Sequence, residues 1–354
     1  MNTAATLKRN RVLAIRLDGL GDVLLTGPAL RALAAGSRHL TLLAGPAGAP
    51  VAPLLPGVND VLVYKAPWIG PDPQPLDDGC LRFLMRELIL GDFDEAVVFT
   101  SFHQSPLPMA LLLRMTAIPR ISAISVDYPG TLLDLRHQVT EDIPEPERAL
   151  SLARAAGFDL PADDDGRLAL RGPLPDVSAL VPSERYVAVH PGCTAPARTW
   201  PVERWAQMVR ELTADGHRVV VTGSKGEHEL TALVAGECGA IDLGGRTRLP
   251  ELAAVLAGAA VTVAPNTGPA HLSAAVGTPV VSLFAPVVPA ARWAPYGVET
   301  VLLGDQDAPC ADTRARECPV PGHPCLSSVT PRDVVSAVEK LLASAGGRRE
   351  GGVE

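Results

Sequence analysis

Residues 261–286 read VTVAPNTGPAHLSAAVGTPVVSLFAP, and the interpretation of the whole chain turns on them. An apolar run over 261–264 breaks into Pro265-Asn266-Thr267-Gly268-Pro269. A helical pattern follows over 270–276, and Gly277-Thr278-Pro279 leads to a second apolar run over 280–284. This spells strand, turn, helix, strand. In such a unit the turn presents unpaired backbone N–H groups at the positive end of a helix, where an anion, phosphate above all, can be held. The same stretch serves equally as a plain crossover between two parallel strands.

The same alternation runs outward in both directions. Towards the N-terminus, strands are expected over 11–17, 40–44, 60–64 and 96–100. Helices are expected over 22–35, 80–90 and 105–115, with a proline-rich loop over 67–75. After an aperiodic stretch rich in Asp, Gly and Pro, the pattern restarts with strands over 186–190, 217–222 and 240–243 and helices over 201–213, 227–235 and 249–256. A last strand over 299–303 and a helix over 331–343, begun by Thr330 and Pro331, complete it. Two α/β domains with doubly wound, Rossmann-like parallel sheets follow, placed at 1–175 and 176–345, with 346–354 too polar and Gly-rich to pack. Consecutive domains of this kind are expected to bind ligand in a cleft between the carboxyl ends of their sheets.

Composition narrows the function. With 354 residues, 47% hydrophobic and 20% charged, the chain has material for two buried cores. A net charge of −8 argues against a general nucleic-acid binder. No basic leader precedes an apolar segment and no run reaches the ~20 residues of a membrane span, so a cytoplasmic protein is expected. Of six cysteines, Cys310, Cys318 and Cys325 cluster near the end beside His323. They lack the paired spacing of a zinc ribbon, and thiols or a disulfide are the expected state.

Four places could carry chemistry. Asp18-Gly19-Leu20-Gly21-Asp22 lacks the third glycine of a dinucleotide fingerprint, and its Asp22 either caps a helix or serves as a general base at the helix start. The loop from His190-Pro191-Gly192 through Thr194 to Arg198-Thr199-Trp200-Pro201 brings a fixed positive charge and hydroxyls within reach of a diphosphate. Thr222-Gly223 leads into Glu227-His228-Glu229, where a carboxylate could bind a ribose diol. The opening stretch adds Asn266, Thr267, Gly268 and His271. His103, Gln104 and Ser105, in a loop after a strand, are a further, weaker candidate, with His103 as apt to be structural as functional.

The order of these motifs, with Glu203-Arg204-Trp205 after Pro201, Gly277-Thr278-Pro279-Val280-Val281 with Leu283-Phe284 after the helix, and Cys325-Leu326-Ser327-Ser328-Val329-Thr330-Pro331 near the end, resembles glycosyltransferase family 9. These are the ADP-heptose:lipopolysaccharide heptosyltransferases, and the likeness runs from Arg11 to about Lys340. The resemblance implies a GT-B fold and an inverting transfer of heptose, or a similar sugar, from an ADP-sugar. The acceptor is a saccharide or lipid-linked saccharide, typically the lipopolysaccharide inner core at the inner face of the cytoplasmic membrane, with peripheral membrane contact and no nucleic acid.

It further implies Asp22 as catalytic base and Arg198 at the diphosphate, where the loop's own hydroxyls add Thr194. Glu227, with Glu229 as the fallback, would lie at the ribose, and Thr267, Gly268 and His271 at the phosphates. No cofactor is required, and Mg²⁺ is at most stimulatory. Asn266 departs from the Asp that many relatives carry. A member with another acceptor, or a nucleotide-sugar-binding protein without catalysis, are the competing readings.

Overall fold

The computed structural model describes residues 9–70 and 74–350, with side chains over 10–70 and 74–344. The chain divides into two compact units, Met1–Arg171 and Gly172–Glu354.

The first unit runs β1 (Arg9–Arg16), α1 (Leu20–Leu25), α2 (Gly27–Ala35), β2 (Ser37–Ala44), β3 (Asp60–Val63), α3 (Asp78–Leu90), β4 (Glu95–Phe99), α4 (Leu107–Met115), β5 (Arg120–Ile124), β6 (Leu135–His137) and α5 (Glu145–Ala155). Its six parallel strands lie in the order β3-β2-β1-β4-β5-β6. Val12 to Ile15 on β1 are wholly buried, because a central strand covered by helices on both faces needs a continuous apolar run.

The second unit runs β7 (Tyr186–Val189), α6 (Val202–Ala214), β8 (Arg218–Val221), α7 (His228–Ala235), β9 (Ile241–Asp242), α8 (Leu249–Gly258), β10 (Val261–Pro265), α9 (Gly268–Ala275), β11 (Val280–Leu283), α10 (Ala290–Trp293), β12 (Thr300–Leu303), α11 (Pro324–Ser327) and α12 (Pro331–Glu350). Its sheet order, β12-β11-β10-β7-β8-β9, repeats the first topology, with β7 and β10 in the places of β1 and β4. The core includes Val187, Val189, Trp205, Val221, Val263 and Leu283, and Trp200 meets Trp205 edge to face at 5.2 Å. Among the described residues no helix is long and apolar enough to cross a membrane.

In a sheet of this order, ligands bind outside the carboxyl ends of the strands where the winding reverses direction. In the first unit that point lies between β1 and β4; in the second it lies between β7 and β10.

Several local expectations change. The helix expected over 22–35 is two helices, since Pro28 cannot continue the ladder of the first, and Thr26 closes α1 by donating from its backbone N–H (3.2 Å) and hydroxyl (2.8 Å) to the Asp22 carbonyl. β5, β6 and α5 were not expected, since the first two are runs of five and three residues with little periodicity. Asp164, in the aperiodic stretch, belongs to the first unit, where its carboxylate accepts both Nε (2.5 Å) and Nη2 (2.7 Å) of Arg31. α12 starts on a reciprocal pair, Thr330 N–H to Asp333 Oδ2 (2.8 Å) and Asp333 N–H to Thr330 Oγ1 (3.2 Å). It runs through Glu350, beyond the expected end at 343; of the tail expected over 346–354, residues 351–354 lie outside the described residues, as do the side chains of 346–350.

Gly45, just after β2, carries the close approach of two chain segments. A Cβ there would sit 2.1 Å from the Leu17 carbonyl oxygen, at the turn that follows β1. Gly45→Ala should therefore lower stability by about 1–3 kcal/mol in urea denaturation, through displacement of that turn.

Candidate functional site

Each unit gathers polar residues at its point of reversal. In the first, the apolar run of β1 ends in Arg16, a guanidinium only 2% exposed. A buried charge of this kind must be paired. Arg16 Nε lies 2.8 Å from Asp18 Oδ2, Nη2 donates to Asp22 Oδ1 and to Ser101 Oγ at 3.0 Å each, and Nη1 lies 3.6 Å from Glu145 Oε2. Arg148 lies 3.6 Å from the same Glu145 oxygen and donates to the Thr100 carbonyl at 2.6 Å. Gln104 Nε2 donates to Asp18 Oδ1 at 2.5 Å, while its own Oε1 accepts the Ser101 N–H at 3.1 Å.

Three carboxylates thus share two guanidiniums. Burial works against the charge of Arg16, but Asp18, Asp22 and Glu145 outweigh it and hold the pKa above its usual value. Burial pushes the Asp18 carboxyl up, with Arg16 opposing. Asp22 has the greatest solvent access of the three acids, at 26% against 9% for Asp18 and 2% for Glu145. Its carboxylate is oriented by Arg16 Nη2, which donates to Oδ1 from the end of β1. A fixed, partly exposed carboxylate can accept a proton from a bound hydroxyl.

In the second unit, β7 delivers His190 and β10 delivers Asn266. Arg198 ends a short turn, Pro196–Arg198, and its Nη1 donates to the Asn266 carbonyl at 3.3 Å, joining the loops across the reversal. Asn266 is 4% exposed; its Nδ2 donates to the Ala285 carbonyl at 3.4 Å, and its Oδ1 has no hydrogen-bond partner among the described residues. Thr267 and Gly268 begin α9, whose first N–H groups have no partner within the helix, and His271 is buried one turn on. An arginine beside a helix start is a setting for a phosphate oxygen.

Glu227 approaches from the other side. Its Oε2 accepts the Ser224 N–H at 2.7 Å, and the carboxylate lies so close to Gly192 that a Cβ there would stand 2.0 Å from Oε1. A side chain at residue 192 would therefore have to displace the Glu227 carboxylate. Burial opposes ionisation of Glu227, but bonds from Ser224 and the nearby His190 outweigh it and lower its pKa. Burial pushes His190 down to about 4, with Glu227 opposing, and its Nδ1 lies 3.0 Å from Thr222 Oγ1. Glu229 is exposed in the first turn of α7.

Of the residues singled out from sequence, Arg198, Asn266, Thr267 and Gly268 come together, His271 follows them on α9, and Glu227 lies beside Gly192. Thr194 enters through its main chain, its carbonyl accepting Arg316 Nη2 at 3.3 Å. Asp22 belongs to the other unit. Gln104 supports Asp18, Ser105 donates to Asp127 Oδ2 at 3.2 Å, and His103 is an exposed ring edge-on to Phe102 at 5.5 Å.

Arg16, Asp18, Ser101, Glu145 and Arg148 were missed. One signal was available, a charged residue closing the apolar run over 12–15 of β1. All six cysteines carry free thiols, and among the described residues no group of three or more His, Cys, Asp or Glu is placed to hold a metal ion.

The family model for glycosyltransferase family 9 (heptosyltransferase) matches residues 82–323, more than half of the chain. Among characterised relatives, lipopolysaccharide heptosyltransferase 1 of Pseudomonas aeruginosa is 29% identical over 320 residues, 87% of each chain. Lipopolysaccharide heptosyltransferase 3 of Escherichia coli is 29% identical over 170 residues, 46% of this chain and 48% of the relative, so here the match spans about half of the relative's length. A solved E. coli heptosyltransferase with ADP-2-deoxy-2-fluoro heptose superposes with a TM-score of 0.69 at 21% identity, covering 93% of this chain and 99% of that one.

Two outcomes follow from the buried charges. Arg16→Leu leaves Asp18 buried without its counter-charge and Glu145 with Arg148 alone, and should lower stability by about 3–5 kcal/mol in chemical denaturation. His190, with an ordinary value of 6.5 when unfolded and about 4 when folded, lets the unfolded chain bind a proton the folded chain refuses. Stability should therefore fall as pH drops from 6.5 towards 4, by up to about 1.4 kcal/mol per unit. Denaturation at pH 7 and pH 5 should show this, and His190→Gln should flatten the dependence.

Proposed function

The chain belongs to glycosyltransferase family 9, and from that membership we propose that it is an inverting glycosyltransferase moving heptose, or a closely similar sugar, from an ADP-sugar to a saccharide acceptor. The acceptor is the lipopolysaccharide inner core or its lipid-linked precursor, met at the cytoplasmic face of the inner membrane by peripheral contact. The first unit serves the acceptor and carries the base; the second binds the donor. The observation that carries this reading is the Arg198 guanidinium on the Asn266 carbonyl, directly before the N-terminus of α9.

The steps follow from that placement. The donor diphosphate lies between Arg198 and the N–H groups of Thr267 and Gly268, with His271 nearby. Glu227 accepts hydrogen bonds from the ribose hydroxyls, its ionised form favoured by Ser224. Asn266 Oδ1 accepts from a hydroxyl of the donor, and the amide puts no negative charge beside the phosphates. Asp22, oriented by Arg16, takes the proton of the acceptor hydroxyl as that oxygen attacks the anomeric carbon.

The bond from the anomeric carbon to the β-phosphate oxygen breaks on the opposite face, configuration inverts, and ADP leaves with the electron pair. Arg198 and the helix-start N–H groups meet the charge that gathers on the diphosphate, each contributing about 3 kcal/mol in a water-excluded site. Because they supply this positive charge, we read Mg²⁺ as at most stimulatory. Asp22 and the donor must meet in one reacting complex closed to water, or the sugar would be hydrolysed.

The test is ADP release from ADP-heptose with and without a lipopolysaccharide-core acceptor. The wild-type protein should turn over only with the acceptor. Asp22→Asn should lose about 10²–10⁴-fold in kcat while keeping its affinity for ADP. Full activity in Asp22→Asn would remove the assigned base; tight ADP binding without turnover on any saccharide would instead favour a binding protein.

A further inference from the structure

The cysteine-bearing segment 305–325, which runs from just after β12 into the start of α11, has no part in the transfer described above, yet it grips the loop that presents Arg198. Ala197, the residue before Arg198, has both of its main-chain polar groups held by this segment. Its N–H donates to the Arg316 carbonyl at 2.7 Å, and its carbonyl accepts from His323 Nε2 at 3.0 Å. Because the acceptor is a carbonyl, Nε2 must carry the proton. Arg316 Nη2 adds a third tie, to the Thr194 carbonyl at 3.3 Å.

The segment is itself anchored. The Asp312 N–H donates to the Pro286 carbonyl at 2.9 Å and the Arg314 N–H to the Val287 carbonyl at 2.7 Å. Cys310 and Cys325 are wholly buried and sit in the core that holds Ala197 and Trp200; Cys318 packs against that core. Burial, with Cys310 and Cys318 adding to it, pushes the Cys325 thiol up to about 12, so it stays protonated and serves as packing. His323 takes a left-handed backbone (φ 50°), uncommon for a residue with a side chain, which sets its imidazole at the head of α11 and against the Ala197 carbonyl.

We propose that segment 305–325 is a positioning element for the diphosphate-binding arginine, and that His323 is the positioning residue through which it acts on Arg198. The Ala197 peptide is clamped on both sides, so the guanidinium of the next residue is aimed at the Asn266 carbonyl and the start of α9 before any nucleotide arrives. Preorganisation of this kind raises affinity for the diphosphate and leaves the rest of the nucleotide unaffected. The inference rests on the reading of Arg198 as the diphosphate contact.

The experiment is calorimetric titration of ADP and of adenosine into the wild-type chain and into His323→Ala, His323→Gln, Arg316→Ala, Arg198→Ala and the double variant His323→Ala/Arg198→Ala. His323→Ala should weaken ADP by about 5- to 15-fold, as expected for one lost hydrogen bond, and leave adenosine unchanged. Gln, which keeps an N–H donor at similar reach, should restore ADP affinity to within about 3-fold. Arg316→Ala should give a smaller loss that is again confined to ADP, and it supplies the test if His323→Ala does not fold. In the Arg198→Ala background, removal of His323 should cost nothing further.

Equal losses for ADP and adenosine, additive losses in the double variant, or unchanged ADP affinity in His323→Ala and Arg316→Ala would each overturn the proposal. Unchanged ADP affinity in Arg198→Ala would instead remove the reading of Arg198 on which it stands.

Discussion

A single buried guanidinium organises the first unit. Arg16 leaves the central strand with no access to water, so its charge has to be met by protein groups. Those groups come from the turn after β1, the loop after β4 and the start of α5. Each partner is thereby held in turn: Asp18 fixes Gln104, Ser101 is drawn to the sheet, and Glu145 brings in Arg148, which reaches the Thr100 carbonyl. Asp22, the most accessible acid of the group, inherits a fixed orientation from this arrangement. A general base needs this property more than it needs any particular neighbour.

The second unit solves a related problem with backbone as much as side chain. Its arginine sits on a loop, and it is steadied by contact with a main-chain carbonyl and by the grip on Ala197. Close approach adds to this: the Glu227 carboxylate lies against Gly192, where a side chain would have to displace it. The two units share a strand order, so both polar groupings form where the winding reverses and two loops diverge. One grouping is acidic and suited to taking a proton; the other presents a cation and helix N–H groups and is suited to an anion.

Much of this could be read along the chain. The alternation of short apolar runs with helical patterns gave the α/β class and two sheets, and the breaks at Asn266-Thr267-Gly268 and at Arg198 marked the loops that matter. Periodicity failed where elements were short or interrupted: β5 and β6 have too few residues to show a period, and Pro28 divided what read as one helix. The resemblance put Glu227 ahead of Glu229, two residues on, and the structure adds that Glu227 lies against Gly192 while Glu229 is exposed.

Local order along the chain therefore determined the fold class and the positions of the turns, because strand and helix formation depend on neighbours a few residues away. The assembly around Arg16 and the hold of His323 on Ala197 were decided by the tertiary structure alone. Arg16 meets Ser101 across 85 positions of sequence, and His323 meets Ala197 across 126. A buried charge states that partners must exist and leaves open which they are. Only the packing of distant segments, with its demand that each buried polar group be satisfied, selects them.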